Sequence, residues 1–206
     1  MVLEPVDPAR HAPALFESSK DAPELWTHLA YGPFATQDLF TRWLRDRAAT
    51  DDPLFYALVD RAAGEARGMA SYLRVKPLHG VMEIGHIWFA PALQRTRQAT
   101  EAIYLMARHA FDDLGYRRLE WKCDSLNGHS RRAAERFGFT YEGTFRQHMV
   151  TKGRNRDTAW YSMTDGEWPV RRAAFEAWLA PENFDQEGRQ RRSLAEYSSR
   201  PTDKSD

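Results

Sequence analysis

Seven residues, Gln94-Arg95-Thr96-Arg97-Gln98-Ala99-Thr100, join a strand-like run to a helix-like one, and their types suit an anion. A helix that opens directly after a strand turns its free N–H groups and positive dipole end toward the connecting turn. Phosphate binds readily at such an end. Two arginines and a threonine there would add charge-assisted contacts. An ordinary solvated connection is the competing reading of the turn taken alone. Upstream, Glu83 and His86 stand three positions apart in the strand-like run. A carboxylate beside a cleft can take a proton directly or through a water. An imidazole titrates near neutrality and could do the same. A structural glutamate paired with an arginine, and a hydrogen-bonded core histidine, are the respective alternatives.

The elements that would position these groups follow from apolar spacing. Val81–Phe89 is rich in apolar, β-branched and aromatic residues and reads as a strand, ended by Pro91. From Ala99 to Leu114 the period becomes helical, with Ala99, Ile103, Met106, Ala110 and Leu114 on one face and Gly115 as the stop. Earlier come a short strand at Val2–Pro5, a short helix over His11–Ser18, and a helix start at Asp21-Ala22-Pro23 with the aspartate as cap. A helix over Thr36–Ala49 is expected to be capped by Thr36 and to bury Leu39, Phe40, Trp43 and Leu44. Leu54–Asp60 and Arg67–Val75 read as a hairpin turning at Ala62-Ala63-Gly64. Downstream, Arg117–Asp124 alternates polar and apolar, as a strand with one buried face does. A helix over Asn127–Phe137, a hairpin of Phe139–Val150 with Asp157–Met163, and a helix over Glu167–Leu179 complete the order. Strands, helix, strand, helix and strand hairpin predict a mixed α/β layer protein with helices on both faces of the sheet.

The chain has 206 residues, room for one domain with a sizeable core. That domain is expected over residues 1–180, with 181–206 a charged, Ser-containing, disordered tail. Lys plus Arg and Asp plus Glu both number 29, so no global charge draws the protein to nucleic acid or an anionic membrane. The arginine runs Arg171-Arg172 and Arg189–Arg192 have acidic neighbours and do not change that expectation. One cysteine, Cys123, cannot form an intrachain disulfide, so a reducing, cytoplasmic setting is expected. Its place on an inward strand face reads as a core thiol. No apolar run is long enough to span a bilayer, and no signal peptide is visible. No metal-ligand spacing and no nucleophile elbow appear.

Glu83-Ile84-Gly85-His86, Pro91 and Gln94–Ala102, followed by Asn127-Gly-His-Ser130, Glu135–Phe139 and Glu142-Gly143, resemble the acetyl-CoA signature of the GNAT superfamily of N-acetyltransferases, closest in look to its RimJ/RimL-like branch. The resemblance runs from about Val2 to Trp168. It implies a central, mostly antiparallel sheet of roughly six to seven strands with helices on both faces. It also implies acetyl-CoA as co-substrate, with no metal. The acceptor would be a primary amine: a protein N-terminal α-amine, a small-molecule amine or an aminoacyl amine. The family pattern Gln/Arg-x-x-Gly-x-Gly/Ala places Gln94 first and sets Arg97 where its first glycine usually stands. Glycine there allows close approach and φ > 0; Arg97 must keep an ordinary backbone or accept strain of ~1–3 kcal/mol.

The resemblance assigns roles residue by residue. Backbone amides from Arg95 to Thr100 would cradle the diphosphate, with Arg95, Arg97, Arg131 and Arg132 for outer phosphates, each also readable as a solvated charge. Ile87, Trp88 and Phe89 would pair with the pantetheine arm and present donors to the thioester oxygen. Glu83 would be the base, with His86 as the alternative. Many relatives carry a tyrosine seven residues after the motif asparagine; here that position is Ala134, so Ser130 is the replacement acid for the leaving thiolate. Ser130 also reads as a helix-capping or first-turn hydroxyl. Asn127 would bond the pantetheine or cap its helix. Trp26, Tyr31 and Trp160 are candidates for an acceptor pocket within a chain of seven tryptophans, each also readable as core. The segment Ala22–Thr36 is the expected acceptor determinant. A homodimer fits the resemblance. The competing function is a non-catalytic acyl-CoA-binding module, suggested by Ala134 and by Arg97.

Overall fold

The computed structural model describes residues 1–198. Seven strands form one sheet: β1 (Val2–Pro5), β2 (Leu54–Asp60), β3 (Glu65–Lys76), β4 (Val81–Phe89), β5 (Arg118–Asp124), β6 (Thr140–Thr151) and β7 (Arg154–Thr164). Their order is β1-β2-β3-β4-β5-β7-β6. Every neighbouring pair is antiparallel except β4 with β5. The expected mixed, mostly antiparallel sheet is what the chain forms.

Helices α1 (Pro8–Glu17), α2 (Gln37–Ala48), α3 (Arg97–Arg108), α4 (Gly128–Arg136), α5 (Trp168–Leu179) and α6 (Leu194–Ser198) cover the sheet. Two buried clusters mark its two faces. One joins Ile84, Leu119 and Trp121 to α3 residues Ala102, Ile103 and Met106 and to Phe175 of α5. The other joins Ala12, Leu15, Phe40 and Leu44 of α1 and α2 to Phe55, Met69 and Trp88. The second is dense in aromatic rings: Trp26 lies 5.2 Å from Trp88 and 5.3 Å from Phe34, centroid to centroid.

Several local expectations need correction. Asp21 caps nothing; Pro23–Trp26 is a single 3-10 turn whose N-cap is Ala22, without a side-chain bond. A short apolar segment pinned by Trp26 packing has no room to run on as a helix. Leu39 is 45% exposed while Phe40 and Leu44 are fully buried, so the buried stripe of α2 is narrower than its apolar residues suggest. Leu114 is also exposed, because α3 ends at Arg108 and continues as a π turn over His109–Asp113, which rotates the following residues off the buried face. Over 181–198 the expected disordered tail is instead folded: Asn183 is buried, its amide donates to the Trp178 carbonyl at 3.0 Å, and Leu194 of α6 joins the core. Residues 199–206 of that expected tail lie outside the described residues.

Candidate active site

The seam between β4 and β5 opens partway along. The two strands pair only from Val81/Arg118 to Ile84/Trp121. Past Ile84, β5 continues to pair with β7 as far as Asp124/Thr158. β4 continues beside β3, but with an irregularity: Ser71 faces Gly85 and Met69 faces Trp88. Ala70 therefore stands opposite two residues, His86 and Ile87, which is a β-bulge. His86 takes φ +52°. A bulge increases local twist and bends its strand. The β5-side edge of Gly85–Phe89 is thereby left without a strand partner, and a wedge opens in the middle of a continuous sheet.

The turn after β4 closes one end of that wedge. Gln94 is tied back to it, its Nε2 donating to the Phe89 carbonyl at 3.0 Å. Thr96 is the N-cap of α3 and accepts the Ala99 N–H at 3.1 Å. The amides of Arg97 and Gln98 are then the open end of the helix. Gln94, Arg95, Arg97 and Gln98 are exposed and Thr96 half-buried. The left-handed backbone falls at Arg95, φ +61°, and not at Arg97. Arg97 is an ordinary first-turn residue, so the glycine missing from the motif costs no strain there.

The side chains of several cofactor candidates are engaged within the protein. The Arg97 guanidinium donates to the Leu179 carbonyl at the end of α5 and lies 5.0 Å over the Phe184 ring. It braces the C-terminal segment. Thr100 is 2% exposed, and its hydroxyl accepts from Arg136 at 3.1 Å, which ties α3 to α4. Ala99 is buried too. Arg131 reaches the Tyr161 hydroxyl at 3.1 Å, and Arg132 lies 3.2 Å from His129. Asn127 caps α4, accepting the Ser130 N–H at 3.0 Å. The Ser130 hydroxyl accepts from the Trp121 indole at 3.0 Å, on the strand that also carries the buried Cys123 thiol. Burial raises that thiol's pKa, as a core cysteine's should be raised.

Glu83 lies where the strands are still paired. Its side chain is 7% exposed, 3.0 Å from Lys122 Nζ and 3.5 Å from Arg74 Nε. Lys122 is itself buried, 2.7 Å from Glu120 and 3.7 Å above the Trp160 ring. Burial holds the Glu83 carboxyl above its ordinary range, against the pull of Lys122 and Arg74. Lys122 and Arg74 went unnoticed in the sequence. The clean alternation of β5 reads as a solvated polar face, and only the tertiary fold covers it.

His86 stacks on Tyr31, with centroids 5.7 Å apart, and its Nδ1 lies 3.1 Å from the Tyr31 hydroxyl. Desolvation first, then the charges of Arg47 and Arg156, lower its pKa to about 4. It is neutral at pH 7. Burial pushes the Tyr31 phenol well upward, so Tyr31 donates and His86 accepts. Trp26 is 2% exposed and belongs to the core, not to a pocket wall. Trp160 is half-buried, and its indole N–H has no partner among the described residues. Ile87 and Phe89 are half-buried, while the Trp88 ring packs into the α1–α2 cluster.

The segment from Ala22 to Thr36 crosses above the wedge. Tyr31 holds it to β4. His28 lies 3.3 Å from Asp124 at the end of β5. Lys152, in the β6–β7 turn, donates to the Trp26 carbonyl at 2.7 Å. Two strands and the β6–β7 turn thus hold one roof. Among the described residues, no group of three or more His, Cys, Asp or Glu side chains could hold a metal ion, and no helix is long and apolar enough to cross a membrane.

A strand-bulge-strand wedge, with a helix opening at its end, is an acetyltransferase architecture, and the chain is matched accordingly. A family model described as an acetyltransferase (GNAT) domain covers residues 1–140. The chain belongs to the GNAT acetyltransferase family. Among solved structures, it is 50% identical to a GCN5-related N-acetyltransferase from Brucella melitensis, with a TM-score of 0.93 over 95% of this chain and 90% of that one. A GNAT-family protein from Chromobacterium violaceum ATCC 12472 is 49% identical, with a TM-score of 0.77 over 81% and 84%. A Bacillus subtilis (strain 168) protein, YdaF, provisionally named as a ribosomal N-acetyltransferase, is 26% identical over 81% of this chain and 91% of its own.

Proposed function

We propose that the protein transfers an acetyl group from acetyl-CoA to a primary amine by direct attack in a ternary complex. The observation that carries this reading is the end of β4–β5 pairing at Ile84/Trp121, beside exposed helix-start amides. The free edge of Gly85–Phe89 suits the amide groups of the pantetheine arm, much as a sheet edge suits a peptide. The amides of Arg95, Arg97 and Gln98 suit the diphosphate, with the Arg95 side chain free to assist. Acetyl-CoA brings the activated thioester; the remaining work falls to the chain.

An amine attacks only when it is neutral. Glu83, with its pKa held up by burial, accepts the ammonium proton through a water, since its carboxylate sits one step back from the wedge. His86, already neutral and engaged by Tyr31, is a weak proton acceptor and serves to set the wedge wall. The amine nitrogen bonds to the acetyl carbon, and the carbon–sulfur bond breaks. The Ile87–Phe89 amides face the oxyanion. The nitrogen then loses its second proton, which the Ser130 hydroxyl relays to the departing thiolate, so that CoA leaves as the thiol and the hydroxyl is restored. An α-amine, with pKa near ~8, is easier to use than a lysine near ~10.4.

Free-thiol release from acetyl-CoA across a panel of amines tests this. Turnover with one of them, saturable in both substrates, is the expected result. Tight CoA binding by calorimetry with no transfer to any amine would favour the non-catalytic module, for which the ion-paired state of Glu83 is the supporting observation.

A further inference from the structure

Two arginines at the roofed side of the wedge have no role so far. Arg47 lies one turn beyond Trp43 on α2, and the Trp43 ring is 4.4 Å from that of Tyr31, the residue bonded to His86. Arg156 lies on β7, two residues before Thr158, which pairs with Asp124 at the open end of β5. Strand alternation puts Arg156 on the same face of β7 as Thr158 and Trp160, the face on which Trp160 covers Lys122 beside Glu83. Each guanidinium has its Nε buried with no hydrogen-bond partner. Among the described residues neither forms an ion pair. The nearby carboxylates are engaged: Asp124 with His28, and Asp157 with the Gln147 amide and Asn155.

A cation partly removed from water without a counter-charge is unfavourable. Two converging on one cleft are a standing demand for an anion. The guanidinium fork matches a carboxylate or a phosphate in two-point fashion. The coenzyme's phosphates do not answer this demand, because they would sit at the start of α3, across the sheet from α2.

We propose that the acceptor molecule carries an anionic group, carboxylate or phosphate, alongside its amine, and that Arg47 and Arg156 receive that group beside His86. This rests on the N-acetyltransferase reading above and narrows its acceptor class. With the anion held there, the amine is directed toward the seam. The same positive potential draws the acceptor into the wedge and keeps a neutral histidine the stable wall.

The test uses the full chain and matched amines: an α-amino acid against its amide, and O-phosphoethanolamine against ethanolamine. The expected result is a kcat/KM at least about tenfold higher for the anionic member of one pair, with the pair telling carboxylate from phosphate. Arg47→Gln and Arg156→Gln each remove that preference, lowering kcat/KM for the anionic member far more than for its neutral partner. Arg61→Gln, at an exposed hairpin tip, changes nothing. Equal rates for charged and neutral members in the wild type overturn the proposal while leaving acetyl transfer intact. If no amine is acetylated, the transferase reading fails, and calorimetry on CoA-loaded protein decides the subsite. Saturable binding of inorganic phosphate or acetate, lost in the folded double variant, supports it; no binding, or binding the double variant retains, overturns it.

Discussion

The two halves of β4 share one backbone and differ in everything else. Val81–Ile84 is hydrogen-bonded on both sides, and its one polar residue, Glu83, is locked between Lys122 and Arg74. Gly85–Phe89 is bonded on the β3 side only, and irregularly. The first half supplies a rigid, electrostatically tuned group. The second supplies unspent backbone. A binding strand needs both: an edge is useful to a ligand only when it is held still by something that is not an edge.

The comparison is broken most severely by Glu83→Gln. The neutral amide keeps the shape and loses the base, so acetyl transfer falls about 10²–10⁴-fold. Calorimetric CoA affinity changes less than about twofold, because the free half of β4 is untouched. A parallel loss of CoA binding would mean that the two halves are not separable.

Gly68→Ala attacks the free half. A Cβ there would lie 2.6 Å from the Trp88 carbonyl oxygen, a backbone atom that cannot swing aside. Overpacking of this kind costs about 1–3 kcal/mol, read as a lower urea midpoint, and CoA affinity should fall with it.

Acid sharpens the same contrast. The folded-state pKa of His86, about 4, lies below its unfolded value near ~6.5. The unfolded chain therefore binds more protons between those values. His86 contributes stability that is complete above about pH 6.5 and is lost as the pH falls through about 4. His86→Asn tolerates the left-handed backbone and should flatten that part of the stability–pH curve. An unchanged slope would assign the acid sensitivity elsewhere.

The smallest effect is expected at Arg97. Arg97→Ala removes a brace to Leu179 and Phe184, so CoA affinity should change by less than about threefold and stability by about 0.5–1 kcal/mol. A larger loss of affinity than of stability would return Arg97 to the coenzyme.

Periodicity made the frame legible. Apolar spacing placed β4, α3 and β5, because each buries one face against the same cluster and each is long enough for its period to show. The turn Gln94–Thr100 could be read as an anion site from its place between strand and helix. What escaped was whatever depends on distant partners. Lys122 looks like any polar residue of an alternating strand until Trp160 and Glu83 enclose it. Trp26 looks like a pocket aromatic until four rings surround it. Residues 181–198 look like a solvated tail because their burial rests on few side chains, Asn183 and Leu194 among them. Arg47 and Arg156 carry no local signal at all.

The lone parallel pairing has a further consequence. All other strand partnerships lie either within residues 2–89 or within residues 118–164, so each portion can assemble by chain-local steps before the two meet. They are then joined at four residue pairs. A molecule wedged along that join acts as mortar between two bricks. Amide exchange should slow on adding coenzyme most along Gly85–Phe89, whose free edge would take the pantetheine, and next along the Ile84/Trp121 join.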